Sequence, residues 1–140
     1  MGRCQSHLVN SDGDFSMFID FGDYLRGPGY VYLAQSDALA LLKGGLTGRK
    51  PDERARELCE QGYAGAFDWR IVHSVFVANM KLIETRMLKR MQDAYAVGGR
   101  YRDPTGKWSK EIFQATSHSI PHAHNYMRII KREHGIVRAT

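Results

Sequence analysis

The spacing of apolar residues predicts three strands in the first part of the chain. Residues 30–33 are rich in β-branched and aromatic side chains and form the first strand. Residues 38–46 predict a second strand, although their alanines and leucines fit a helix almost as well; glycines at 44, 45 and 48 favour a strand that runs into a turn. Residues 69–77 alternate with both faces largely apolar, so we expect them to form the central strand.

Three segments have the periodicity or end signals of helices. Pro51 suits a first helical position, with Asp52 and Glu53 in the first turn and an end near Gly62. Residues 78–94 predict the longest helix, before a glycine pair at 98–99; its apolar stripe consists of Met80, Ile83, Met87, Met91 and Ala94. Residues 111–113 fit a short last strand or a turn, and residues 125–133 predict a terminal helix.

This order of elements predicts an α/β fold, a small three-stranded antiparallel sheet flanked by helices. Residues 1–28 form an N-terminal arm, because their apolar content is too high for a disordered tail and a Gly-Pro-Gly turn follows at 27–29. Residues 29–114 form the core, and residues 115–140 form a C-terminal helical extension.

Length and composition are typical of one globular domain. The chain has 140 residues, of which 43% are apolar and 25% charged. No apolar run approaches the roughly 18–20 residues that a membrane span needs, and residues 1–15 lack the apolar core of a signal peptide. Cys4 and Cys59 match no metal-binding spacing and are expected to be free thiols. We therefore expect a cytoplasmic protein with no membrane partner, as a monomer or homodimer.

The positive charge is unevenly distributed. Two arginines against four aspartates give residues 1–28 a net charge of −2. Because the whole chain carries +5, residues 29–140 carry +7. A basic body favours a polyanionic partner such as nucleic acid through release of counterions. Many basic proteins bind no nucleic acid, so charge alone leaves the function open.

Two residues on the predicted strands have the chemistry of a phosphodiesterase. Tyr32 ends the first strand motif, and a phenol near a scissile phosphate can accept or relay the proton of an attacking water. Lys43 precedes the Gly44–Gly45 pair, where a cation can favour deprotonation of a neighbouring group or hold a phosphate oxygen. The alternatives are a core aromatic for Tyr32 and a solvent-exposed lysine before a turn for Lys43.

Two residues on the predicted helices complete the candidate site. Arg54 lies in the first turn of the Pro51 helix, where the helix end and a planar guanidinium both favour a phosphate. Glu84 lies within the apolar stripe of the next helix, where a carboxylate is costly unless it is paired or binds a metal. The alternatives are an exposed arginine paired with Glu57 and a glutamate paired with Lys81 or Lys89.

Order and spacing of these residues resemble the GIY-YIG nuclease superfamily, closest to its phage-associated branch with a Lys-Ile-Gly-x-Thr second motif. The resemblance is carried by Tyr30-Val31-Tyr32, Lys43-Gly44-Gly45-Leu46-Thr47, Arg54, Glu84 and Glu111-Ile112-Phe113. Two positions depart from the family pattern. Gly44 replaces an Ile, and Leu58 stands where many members have a His, which shifts the role of general base to Tyr32.

The resemblance implies a metal-dependent endonuclease in which Tyr32, Lys43, Arg54 and Glu84 are catalytic. Glu84 would be the ligand of one Mg²⁺ or Mn²⁺, and the substrate would be nucleic acid, with DNA favoured. The alternatives are a module that binds nucleic acid without cleaving it, a subunit of a larger DNA-processing assembly, and a basic α/β domain with accidental motif matches.

Basic residues outside this set are the candidates for nucleic-acid contact. Two of them, Arg49 and Lys50, precede the Pro51 helix. The other four interleave with Tyr101 and Trp108 in a loop, a composition that suits contact by charge and stacking; they are Arg100, Arg102, Lys107 and Lys110. The alternative is a solvated loop with two anchoring aromatic residues.

Overall fold

Four strands and three helices make up residues 26–137, the part of the chain that the structure, a computed structural model, describes. The strands are β1 (Gly29–Ser36), β2 (Leu41–Thr47), β3 (Arg70–Val77) and β4 (Ile112–Gln114). The helices are α1 (Pro51–Gln61), α2 (Met80–Tyr95) and α3 (Ser119–His134), and a short 3₁₀ turn spans Tyr63–Gly65. The prediction of a mixed α/β domain with an antiparallel sheet is confirmed. Of the arm predicted at residues 1–28, residues 1–25 lie outside the described residues.

The sheet has four strands in the order β3-β1-β2-β4, all antiparallel. The prediction of three strands was wrong: the fourth strand is β4, which includes two residues of the segment 111–113 that was expected to form a short strand or a turn. It pairs with the start of β2, where Lys43 lies opposite Ile112. Its two buried residues face opposite sides of the sheet: Ile112 packs with Tyr32, and Phe113 packs with Val31.

The inner strands of the sheet are β1 and β2, and β3 lies at one edge, so the prediction that residues 69–77 form the central strand was wrong. The four consecutive residues 31–34 of β1 are all buried. The apolar character of β3, an edge strand, has another cause, since α3 covers one of its faces and α1 the other. Its outer edge is partly covered as well, because Ile136 N donates a hydrogen bond to Phe76 O (2.9 Å).

The two faces of the sheet carry separate apolar clusters. On one face, α2 and α3 pack Met87, Met91 and Met127 against the strands. On the other face, α1 contributes Leu58, which packs with Tyr63. Because α3 supplies buried residues to the first cluster, residues of the predicted C-terminal extension belong to the core of the fold.

Helix α3 begins at Ser119, six residues before the predicted start. Pro121 is the third residue of the helix, and a backbone N–H at this position would have no partner within the helix, so the proline costs no hydrogen bond. Thr116 and Ser119 stabilise this start reciprocally: Thr116 Oγ1 accepts from Ser119 N (3.0 Å), and Ser119 Oγ accepts from Thr116 N (2.7 Å). Pro121 therefore lies in the first turn of the helix and does not interrupt it.

Helix α2 lies close against β2 because Gly44 has no side chain. A Cβ at Gly44 would lie 2.6 Å from Met87 Cε and 2.9 Å from Leu88 Cδ2. The register of β2 on β1 is continuous through this point, with Tyr32 opposite Gly45 and Leu33 opposite Gly44. The departure from the Ile of the resembling family thus allows a close helix–strand contact.

Within residues 26–137, no helix is long and apolar enough to cross a membrane.

Candidate active site

One cavity of about 180 Å³ brings together the four side chains that the sequence singles out. They reach it from four different elements: Tyr32 from β1, Lys43 from β2, Arg54 from α1 and Glu84 from α2. The cavity is completed by Gly45, Leu46, Lys81 and Glu111. Glu84 and Arg54 therefore face the same space, although their helices pack on opposite faces of the sheet.

The Tyr32 hydroxyl is held between two cations. Its oxygen accepts a hydrogen bond from Lys43 Nζ (2.9 Å) and another from Arg54 Nε (3.2 Å). A phenol has two acceptor lone pairs and one O–H donor, so these two bonds leave the O–H to point elsewhere. If the phenol lost its proton, its oxygen would have three acceptor positions. Lys43 and Arg54 occupy two of them, so the third would be available to another donor.

Lys43 is a buried cation with a fixed position. Its side chain is 1% exposed, and Nζ lies 3.0 Å from Glu111 Oε1. The ammonium also lies over two aromatic rings, 5.0 Å from the centroid of Tyr32 and 4.8 Å from that of Tyr63. Burial disfavours the charged form, but Glu111 and the two tyrosines outweigh it and raise the pKa of Lys43 above its ordinary range. Lys43 thus contributes a permanent positive charge, and the alternative of a solvent-exposed lysine is wrong.

Glu111 joins Lys43 to the base of the loop that precedes β4. Tyr63 OH donates to Glu111 Oε1 (3.2 Å) and lies 2.7 Å from Ser109 Oγ. Burial opposes the charge of Glu111, but Lys43 and Tyr63 hold the pKa of this carboxyl below its ordinary range. The ion pair is therefore maintained at neutral pH.

Arg54 reaches the cavity from the first turns of α1. The helix begins at Pro51 after an extended Lys50, as the sequence predicts, and ends at Gly62 in a left-handed conformation. Arg54 Nη1 lies 3.0 Å from Glu57 Oε1, so the predicted alternative of a pair with Glu57 is present as well. Glu57 orients the guanidinium while Nε contacts Tyr32, and the remaining N–H groups of Arg54 can donate to a phosphate.

Glu84 is a buried carboxylate within the apolar stripe of α2. Its side chain is 3% exposed, and Oε1 accepts a hydrogen bond from Lys81 Nζ (3.3 Å). Burial, followed by the negative charge of Glu111, raises the pKa of Glu84, whereas Lys81 and Lys43 oppose this shift. The pair with Lys81 is one of the predicted alternatives, but half of the Lys81 side chain is exposed, so this partner can move away.

The donor atoms around the cavity suit a hard divalent cation. Mg²⁺ usually takes one or two protein carboxylates and completes its shell with water and substrate phosphate oxygens. Glu84 supplies such a carboxylate, and the cavity has room for several waters. Across residues 26–137, no cluster of three or more His, Cys, Asp or Glu side chains could hold a metal.

Sequence reasoning missed two residues of the cavity wall, Glu111 and Lys81, and one residue that supports Glu111, Tyr63. Glu111 was noted only as part of a Glu-x-Phe segment, and Lys81 only as a partner for Glu84. Tyr63 gave no signal, because it follows a helix end and its partners Ser109 and Glu111 lie more than 45 residues away. Such contacts depend on the tertiary fold and have no local pattern.

The predicted nucleic-acid contacts fall into two groups. Arg49 is engaged within the protein, since it pairs with Glu57 and lies 3.7 Å from Glu53. Exposed cations are found before α1 and in the loop that precedes β4; they are Lys50, Arg100, Arg102, Lys107 and Lys110. The exposed set is available to a polyanion, whereas Arg49 would have to leave its carboxylate partners.

Comparison with known proteins identifies no relative. No known protein family, curated protein or solved structure matches this chain.

Proposed function

We propose that this chain is a GIY-YIG-type endonuclease that hydrolyses phosphodiester bonds in nucleic acid, with DNA favoured, and requires Mg²⁺ or Mn²⁺. The observation that carries the proposal is a phenol that accepts hydrogen bonds from two cations in a cavity that also contains a buried carboxylate. The order of the four residues along the chain, which resembles the nuclease superfamily, supports the same function.

Tyr32 is the proposed proton acceptor. Tyr32 lines the cavity and its oxygen is contacted by Lys43 and Arg54, so negative charge that develops on this oxygen is stabilised without rearrangement. As a phenolate it would have its third acceptor position for the attacking water. Leu58 is buried four residues after Arg54, so this position offers no imidazole that could replace the phenol.

Arg54 is the proposed phosphate ligand, and Glu84 the proposed metal ligand. The N–H groups of Arg54 that are not used by Tyr32 and Glu57 would hold the phosphate against the N-terminal turns of α1. Glu84 would hold the divalent cation, which supplies charge stabilisation for the phosphate and the leaving oxygen when bound. Lys81 would then leave Glu84, because the cation replaces its charge.

Cleavage assays with defined substrates test this proposal. Plasmid, single-stranded DNA and RNA are incubated with Mg²⁺, Mn²⁺ or a chelator, with wild type and Glu84→Gln in parallel. Glu60→Gln, an exposed glutamate of α1, is the matched control. We expect cleavage that needs a divalent cation, is retained by Glu60→Gln and is lost in Glu84→Gln. Cleavage that persists with chelator, or an active Glu84→Gln, would refute the proposal.

A second candidate is a module that binds nucleic acid without cleaving it. It is favoured by the pair of Glu84 with Lys81 and by the leucine at position 58. The same assay distinguishes the two candidates when binding is measured alongside: retention of nucleic acid with no cleavage under any metal condition supports the binding module. A subunit of a larger assembly would be recognised by its mass in gel filtration with co-purifying partners.

A further inference from the structure

The loop before β4 forms a hairpin with an ordered turn. Arg102 and Trp108 form an antiparallel bridge, and Ser109 N donates to Tyr101 O (2.8 Å). The carboxylate of Asp103 accepts hydrogen bonds from Thr105 N (2.9 Å) and from Lys107 N (3.1 Å). The sequence of residues 98–110 contains no other acidic residue, and this carboxylate is used within the turn.

The two aromatic residues of this hairpin have different environments. Tyr101 packs against the apolar cluster that contains Tyr63 and Trp69, so it anchors the hairpin as the alternative interpretation expected. Trp108, in contrast, is 50% exposed, whereas Trp69 is 3% exposed. The Arg102 guanidinium lies over the Trp108 ring, 3.8 Å from its centroid, and Arg102 Nη1 donates to Gly106 O (2.6 Å). A stack of guanidinium and indole is therefore presented to solvent in a fixed position.

The hairpin is connected to the candidate active site. Trp108 precedes Glu111, a residue of the cavity wall, by three positions, which is at most about 10 Å along the chain. The neighbouring Ser109 contacts Tyr63, which in turn donates to Glu111. At 3.4 Å per stacked nucleotide, a strand in the cavity would reach the hairpin within roughly three nucleotides.

We infer that the Arg102–Trp108 stack is a binding site for an unpaired nucleobase next to the bond that is cleaved. Aromatic rings and guanidinium planes stack on bases whose faces are accessible, and exposed cations around them hold the backbone. Arg100, Lys107 and Lys110 supply such cations here. Both faces of a base within a duplex are already covered by its neighbours, so the site selects single-stranded nucleic acid or an unpaired segment. The inference rests on the proposed function for its nucleic-acid substrate.

Tryptophan fluorescence tests this inference in metal-free buffer, where binding is observed without cleavage. The probes are a single-stranded oligonucleotide, the corresponding duplex, and inorganic polyphosphate, which carries the charges without bases. The chain has only two tryptophans, so the emission of a Trp108→Phe variant comes from buried Trp69 alone and is subtracted to give the emission of Trp108. We expect the single strand to quench Trp108 emission, with weaker quenching by the duplex and none by bound polyphosphate. Equal quenching by polyphosphate and oligonucleotide would overturn the inference.

Variants at Trp108 measure the contribution of stacking to affinity. Trp108→Leu keeps an apolar side chain but loses the aromatic face, and should weaken single-strand binding roughly 5- to 150-fold, the range for one stacked base. Trp108→Phe should retain most of the affinity. Phe67→Leu is the matched control, since Phe67 is 72% exposed but lies outside the hairpin, and should bind as the wild type does.

The outcomes separate this inference from the proposed function. If Trp108→Leu binds the single strand as tightly as wild type while nucleic acid is still cleaved, the stacking site is refuted and the nuclease proposal stands. If the wild type binds neither strand form nor cleaves, the nucleic-acid function fails, and the stacking site fails with it.

Discussion

A single methyl group at Gly45 should disrupt the candidate site with little change elsewhere. A Cβ at this position would overlap the Tyr32 hydroxyl and would lie 2.5 Å from Tyr32 Cζ and 2.8 Å from Lys43 Nζ. Ordinary contact begins at 3.4 Å, so Gly45→Ala requires the phenol to move by about 1 Å and the ammonium by about 0.6 Å. Gly45 is not among the glycines with a positive φ, so alanine adds no backbone strain at this position.

The expected consequence for activity follows from that displacement. A misplacement of about 1 Å in a catalytic arrangement can lower the rate about 100-fold, and overpacking of a buried site costs about 1–3 kcal/mol of stability. We therefore expect Gly45→Ala to remain folded and to lose about two orders of magnitude in cleavage rate. Urea unfolding gives the stability, and initial rates of oligonucleotide cleavage give the activity per folded molecule.

The neighbouring Gly44 provides a matched control. A Cβ at Gly44 would point to the opposite face of the sheet and meet the flexible ends of Met87 and Leu88. Gly44→Ala should lose stability in the same range but keep its cleavage rate within a few-fold of wild type. Two results would contradict this reasoning. In the first, Gly45→Ala cleaves at the wild-type rate; in the second, both variants lose activity in proportion to their loss of stability. Either result would show that the close approach of Tyr32 and Lys43 to Gly45 is not needed for catalysis.

Three further expectations concern charge. In metal-free buffer, Glu84→Gln should raise the free energy of unfolding at pH 7, because burial raises the pKa of Glu84 and so makes its charged form unfavourable in the native state. Urea titrations should show that this gain in stability becomes smaller as the pH falls towards 4.5, the ordinary pKa of a glutamate. Glu111→Gln removes the charge that does most to offset the effect of burial on Lys43, so the pKa of that ammonium should fall and the pH–rate profile should decline at a lower pH than in wild type. Replacing Arg100 and Arg102 by Ala should weaken nucleic-acid binding and flatten its salt dependence by about one unit per lost phosphate contact; an unchanged slope in a salt titration of affinity would exclude those contacts.

Local sequence signals predicted the helices and strands that have clear ends. Helix α1 begins at Pro51 and ends before Gly62, since these residues have conformational preferences that hold in any fold. The position of Glu84 in an apolar stripe also predicted its burial, because helical spacing fixes which residues share a face.

The arrangement of strands could not be predicted in the same way. Residues of β3 are apolar on both faces because two helices cover it, and a central strand would have the same pattern. Glu111 became part of the cavity only because the short β4 pairs with β2 and so places this residue beside Lys43. Both results depend on pairings between distant segments, for which the local pattern holds no information.

The central claim, that the Tyr32 oxygen takes part in metal-dependent phosphodiester cleavage, is tested most directly by removing that one atom. Tyr32→Phe keeps the buried ring, and Tyr30→Phe makes the same change two residues earlier on the same strand, where the ring packs edge-on against Phe76. Cleavage of a labelled oligonucleotide with Mg²⁺, compared with cleavage in chelator, should fall about 100-fold or more in Tyr32→Phe and stay near wild type in Tyr30→Phe, with binding retained in both. Wild-type cleavage by Tyr32→Phe, or equal cleavage in the presence of chelator, would contradict the account.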